Sequence, residues 1–288
     1  MNLQRTLYGA LPQHLLSRCG GWMACRKWGP LTTLFIRWFV RHYGVNLDEA
    51  RFTRASDYPS FAGFFGRELQ DGARHWPSSA YAVASPVDGV TSRAGRLDGT
   101  SLVQAKGIDY SLQALLGGDI EPYAGGHFAT LYLRPQDYHR VHAPLAGRLL
   151  RIRHLPGRLW PVRPWAVTGV DGLFTQNERV VLEFTSRAGP CALVMVGALM
   201  VGSMETVITG PIRGGRREPD AWNLETAHRE FERGEEIGRF NFGSTVILVF
   251  APGALDWDEA ALVPEREVRL GQPIGTIATR GKSGRRTS

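Results

Sequence analysis

A chain of 288 residues with 43% hydrophobic and 21% charged residues has the balance of an ordinary globular protein, long enough for one large domain or two smaller ones. The formal charge of +7 favours anionic partners: nucleic acid, an anionic membrane surface or acidic substrates. Three cysteines (Cys19, Cys25, Cys191) match no disulfide framework or zinc spacing and point to a reducing, cytosolic setting, and neither a secretory signal nor an apolar run of 18 residues is present. Residues 1 to about 50 hold two helical patterns. Leu31, Leu34, Phe35, Trp38 and Phe39 form a stripe at helical spacing, flanked by Arg26, Lys27, Arg37 and Arg41, which predicts an amphipathic helix lying in a bilayer interface. A linker and a second amphipathic helix are predicted over 53–75.

From about residue 80 the texture changes to short strands. YAVASPVDGVTSRAG, HFATLYLRP, GRLLRIRHLPG, RVVLEFTSRAGPCALVMVGALMVGSMETVI and GRFNFGSTVILVF read as strands with turn signals every 8 to 15 residues. SLQALLGG reads as a short helix stopped by its glycines, RGGRREPD (213–220) as a basic loop, and the end as a basic disordered tail. The high counts of Gly (34) and Pro (17) favour turns over a helical bundle. The predicted fold class is α+β, mainly β: an antiparallel sandwich-like or barrel-like catalytic core (76–275), an N-terminal helical membrane-associated region (1–75) and a tail (276–288).

Three places carry chemistry. Asp88 stands in SPVDGV, which on its own reads as a turn. His139 and His142 stand three apart in YLRPQDYHRVHAPLAG; extended backbone would send them to opposite faces and a turn would let them converge. No third ligand motif accompanies them, so no metal is expected. Gly243 and Ser244 open the apolar run Val246 to Phe250, where a glycine reads as a bulge. Together these supply Asp, His and Ser, the parts of an activated serine. The G-x-S-x-G elbow of α/β-hydrolases is missing, although a membrane-associated serine hydrolase using Ser244, His142 and Asp88 stays the alternative, with a non-enzymatic binder of anionic lipid as a third reading. No nucleic-acid-binding motif appears.

WFVRHYGVNLDEA, SFAGFFGREL, SPVDGV, QAKGIDYSLQALLGG, LRPQDYHRVHAPLAG, LFTQNERV, VGALMVGSMETV and GRFNFGSTVILVFAPG, in this order, resemble the bacterial, membrane-associated phosphatidylserine decarboxylases. The resemblance implies a proenzyme that cuts itself at Gly243-Ser244 into a β chain (1–243) and an α chain (244–288). It implies a triad of Asp88, His142 and Ser244 for that cut, and a pyruvoyl group made from Ser244 as the covalent cofactor. It further implies Schiff-base decarboxylation of phosphatidylserine to phosphatidylethanolamine, with His139 near the reacting carboxylate as the acid. The expected place is the cytoplasmic face of the inner membrane, held peripherally on anionic lipid; the two chains of one precursor are partners and a homo-oligomer is left open. One departure is Phe242, where the family carries Leu before Gly-Ser-Thr.

Overall fold

The computed structural model describes residues 3–105, 108–199, 204–212, 215, 218–241 and 244–278. Phe242 and Gly243, residues 213, 214, 216 and 217 of the 213–220 loop and the tail from 279 lie outside the described residues, as do the expectations that fall on them.

A nine-stranded antiparallel sheet dominates the described residues. Its centre is the Ser244–Phe250 strand, between His127–Leu133 and Gly189–Val196. All seven residues of that strand are buried, which is why it reads as an unbroken apolar run rather than an alternation. Outward on one side follow Arg179–Ser186, Gly147–Leu155 and Asp220–Asn223, and on the other Gly89–Arg96 and Glu267–Val268. Among the described residues the edge strands do not pair with each other, so the sheet stays open and no barrel closes.

A second, four-stranded sheet runs Gly210–Ile212, Met204–Thr206, Glu236–Phe240, Arg140–His142. It packs on one face of the large sheet. A Cβ on Gly238 would stand 3.2 Å from Met195 Sδ, and Ala143 and Leu145 line one cavity with Leu248 and Phe250. By strand alternation Ser244 shares the face of Val246, Leu248 and Phe250. The serine therefore belongs to the layer between the sheets, at the point where the chain leaves Glu236–Phe240 in one and starts Ser244–Phe250 in the other.

The segment LFTQNERV is architecture. Asn177 is fully buried and donates to the carbonyls of Trp160 and Gly197, while Arg179 donates to the carbonyls of Ala114, Leu115, Thr175 and Asn177. Buried carbonyls of four segments thus share two side chains, and loops without ladder partners are satisfied. The helix Leu112–Leu116 stops at Gly117 in the left-handed region (φ 63), as its sequence indicates.

The N-terminal helices are Leu3–Ala10, Gln13–Cys25 and Pro30–Tyr43, the last started by Pro30 and ended by left-handed Gly44. Ile36 and Phe39 pack with Phe61, Phe64 and Phe65 into a core cluster of their own. The helix predicted within 53–75 is only Phe61–Phe65: three of its five residues are phenylalanines committed to that cluster, and Gly66 caps its end. The stripe on Pro30–Tyr43 splits. Phe39 turns inward, but Leu31 (63%), Leu34 (64%) and Trp38 (51%) are exposed. Leu15, Trp22, Met23 and Trp28 are exposed beside them, an apolar surface that water disfavours. Among the described residues no helix is long and apolar enough to cross a membrane.

Candidate active site

Ser244 is fully buried and its Oγ has no hydrogen-bond partner among the described residues. A buried hydroxyl without an acceptor costs about 1–3 kcal/mol, so its retention calls for a reason. Its strand register places it opposite Leu133. Next to Leu133 comes Gly89, pressed so close that an added Cβ would lie 2.5 Å from the Tyr132 carbonyl oxygen. Gly89, Leu133 and Ser244 thus form one row across three strands, about 10 Å from end to end at ordinary strand spacing.

Asp88 precedes Gly89 in a tight turn. His142 N donates to the Pro86 carbonyl (2.9 Å), which holds this turn against the four-stranded sheet. The Asp88 carboxylate is 9% exposed in a bed of donors: Leu270 N (2.7 Å), Arg74 Nε (3.1 Å) and Arg74 Nη2. Arg74 reaches Glu49 on its other side (2.8 Å). Arg74 carries no motif signal; it was legible only as one more basic residue of the 53–75 segment.

His142 sits in a different bed. Its Nδ1 lies 2.7 Å from the Gly234 carbonyl, which can only accept, so Nδ1 carries the proton. Its Nε2 then accepts from the Tyr138 hydroxyl at 3.0 Å. Burial lowers the His142 pKa against a smaller lift from the Gly234 bond, keeping the ring neutral and its Nε2 lone pair basic in character. Among the described residues no hydrogen bond joins Asp88 to His142, or either of them to Ser244. The three expected residues converge on the same end of the sheets, but the linked triad is not assembled, because Arg74, Leu270, Gly234 and Tyr138 hold the partners instead.

His139 is fully buried. Its Nδ1 donates to the Asp137 carbonyl (2.8 Å), and its Nε2 has no partner. The ring lies 4.1 Å from that of Phe65. Its own carbonyl accepts from Phe240 N (2.9 Å), four residues before Ser244. Burial, helped by the charge of Arg67, pushes its pKa down to about 3. His139 and His142 share no partner, and among the described residues no cluster of three or more His, Cys, Asp or Glu could hold a metal.

A cavity of about 280 Å³ adjoins this end of the sheet, lined by Thr245, Tyr132, Val90, Arg93, Gln104 and Phe174 among others. By strand alternation Thr245 faces away from Ser244, so this polar and aromatic space lies on the other face of the sheet.

The phosphatidylserine decarboxylase family model matches residues 61–276, and a second, described as PSD, matches residues 3–44. The chain belongs to the phosphatidylserine decarboxylase family. It is 48% identical over 274 residues to a phosphatidylserine decarboxylase proenzyme of Nitrosococcus oceani, covering 93% of this chain and 89% of the relative. Proenzymes of the same description from Coxiella burnetii (42% over 275 residues; 94% and 97% covered) and Variovorax paradoxus (44% over 277; 93% and 95%) are similarly related. For a decarboxylase of this family, the two matched regions correspond to the exposed helices and to the sheets with the site.

Proposed function

We propose that the chain decarboxylates phosphatidylserine to phosphatidylethanolamine on a membrane surface, and that it becomes active by cutting itself at Gly243-Ser244. The observation that carries this reading is the Ser244 hydroxyl, sealed from water and without a partner. A serine attacking its own preceding carbonyl needs no access, so burial suits the self-cleavage step, and the headgroup reaches this place only after the Gly243–Ser244 bond is cut.

In the proposed cut, Oγ bonds to the Gly243 carbonyl carbon and the Gly243–Ser244 C–N bond breaks, turning amide into ester. The Oγ proton goes to His142 Nε2 and returns to the freed Ser244 nitrogen. Tyr138 must first release Nε2, and Asp88 acts on the charged imidazole through space. Removal of the Ser244 α-proton then expels the Gly243 carboxylate, and water replaces nitrogen as ammonia leaves. The site fits the resulting pyruvoyl group: Ser244, the first residue of its strand, supplies all its carbons. That group would supply a ketone for the headgroup amine and a sink for the electrons left by carbon dioxide. His139 Nε2, without a hydrogen-bond partner among the described residues, is the atom placed to give a proton to the carbon that loses its carboxylate.

The exposed helices support membrane docking. Residues 1–47 contain Arg5, Arg18, Arg26, Lys27, Arg37 and Arg41 and no Asp or Glu. Each basic residue near an anionic leaflet gains about 1 kcal/mol, and each large apolar side chain buried in lipid about 1.5–3 kcal/mol. A cavity of about 390 Å³, lined by Met23, Ala24, Trp28, Leu31, Phe35 and Phe61, opens on the same face.

The test uses the full chain on phosphatidylserine vesicles. Carbon dioxide and phosphatidylethanolamine are the expected products. Substituting Ser for Leu31, Leu34 and Trp38, all exposed, should weaken vesicle binding at least ten-fold with thermal stability kept. Release of fatty acid without carbon dioxide would overturn the activity, and unchanged vesicle binding would overturn the docking face.

A further inference from the structure

The segment after the Phe61–Phe65 helix buries a cation that the site described so far does not use. Arg67 is 5% exposed. Its Nη2 donates to the carbonyls of Gln136 (2.9 Å) and Asp137 (3.3 Å), while Nε and Nη1 find no acceptor among the described residues. A buried guanidinium without an ion pair is costly, commonly several kcal/mol. Only an anion or a duty toward a neighbour offsets such a group, and one neighbour is on the page. The Asp137 carbonyl that accepts from Arg67 also accepts from His139 Nδ1.

We infer that Arg67 is a positioning residue for His139: it shares the Asp137 carbonyl with the imidazole, sets a fixed positive charge beside the ring, and so holds His139 neutral, with its proton on Nδ1 and Nε2 as a bare acceptor. The charge is effective because no carboxylate is bonded to it. The other charged groups around this corner are engaged elsewhere. The Asp137 carboxylate is bonded by Arg134, and Asp88 by Arg74. Arg140 lies between Glu68 and Glu236, and Arg239 is bonded to Glu205. His142, on the same strand, faces Gly234 and Tyr138. The downward shift of the His139 pKa has burial as its first cause and Arg67 as its second. The consequence for chemistry is definite. A proton that reaches His139 Nε2, held beside a nearby cation, is given up readily.

The inference has two readouts. The first is histidine nitrogen NMR on the full-length Ser244→Ala chain, labelled on histidine, with His139→Gln to assign the signals. It does not depend on decarboxylation. In the parent, His139 is expected to titrate well below the ordinary histidine range. In Arg67→Gln the ring should titrate at least about one pH unit higher, the shift a single nearby charge commonly makes. Arg67→Lys should stay with the parent. The second readout rests on the decarboxylase reading: the acid limb of kcat/KM should move up by the same interval in processed Arg67→Gln, about ten-fold in rate on the acid side, with rescue in Arg67→Lys.

Equal titration of parent and Arg67→Gln would overturn the inference, as would Arg67→Lys behaving like Arg67→Gln. A protonated Nε2 in the parent at pH 6 would overturn it too, and where Arg67→Gln does not fold Arg67→Met serves as the neutral variant. If the wild-type chain releases no carbon dioxide, the decarboxylase reading fails and the NMR result still judges Arg67.

Discussion

Ser244→Ala leaves the 288-residue chain whole and removes decarboxylation completely. The substitution deletes one atom, and that atom makes no hydrogen bond. No partner is stranded by its loss, so stability should hold or rise slightly, by at most about 1 kcal/mol. Failure of both cleavage and activity in a chain with an unchanged melting temperature can then be attributed to chemistry and not to folding. An active Ser244→Ala chain would end the pyruvoyl account, because no other residue would supply the ketone.

His142→Ala should slow self-cleavage by about 10²–10⁴, the usual contribution of a positioned base. Here a stability cost accompanies it: the Gly234 carbonyl and the Tyr138 hydroxyl lose their shared partner, worth about 1–3 kcal/mol for a buried group left unpaired. The comparison with Asp88→Asn is informative. Asp88 touches Arg74 and Leu270 N, and the His142 tautomer is already fixed by Gly234. Asp88→Asn should therefore destabilise the fold by leaving Arg74 short of an anion, and slow cleavage less than His142→Ala. The rate of conversion of full-length chain, followed on denaturing gels beside thermal unfolding, separates these effects. Equal and severe loss of cleavage in Asp88→Asn without loss of stability would mean that Asp88 reaches His142 directly in the reacting state.

Much of the frame was readable because it is local. A run such as Val246 to Phe250 must be buried wherever it goes, and the full burial of Ser244–Phe250 follows. The stop of Leu112–Leu116 at Gly117 is a one-residue property. The helical stripe near Trp38 was legible as a helix, but periodicity does not say whether an apolar stripe meets protein or solvent; only Phe39 found the core. The site was legible as residue types and not as contacts. Asp88 is bonded to Leu270, 182 residues away, and His142 to Gly234, 92 residues away. Such pairings are set by sheet register, which local patterns do not encode. Arg67 lay inside a recognised segment, yet nothing local marks a cation whose meaning is a carbonyl shared with a histidine 72 residues later.

The chain's central claim is that it remakes Ser244. Intact-mass analysis of the full-length wild-type protein, expressed with membranes present, tests this most directly. The account predicts two chains split between Gly243 and Ser244, residues 1–243 and the last 45 residues (288 − 243 = 45), the smaller lacking a free amino terminus. A single whole chain with an unmodified serine, in a preparation that still turns phosphatidylserine into phosphatidylethanolamine, would contradict it.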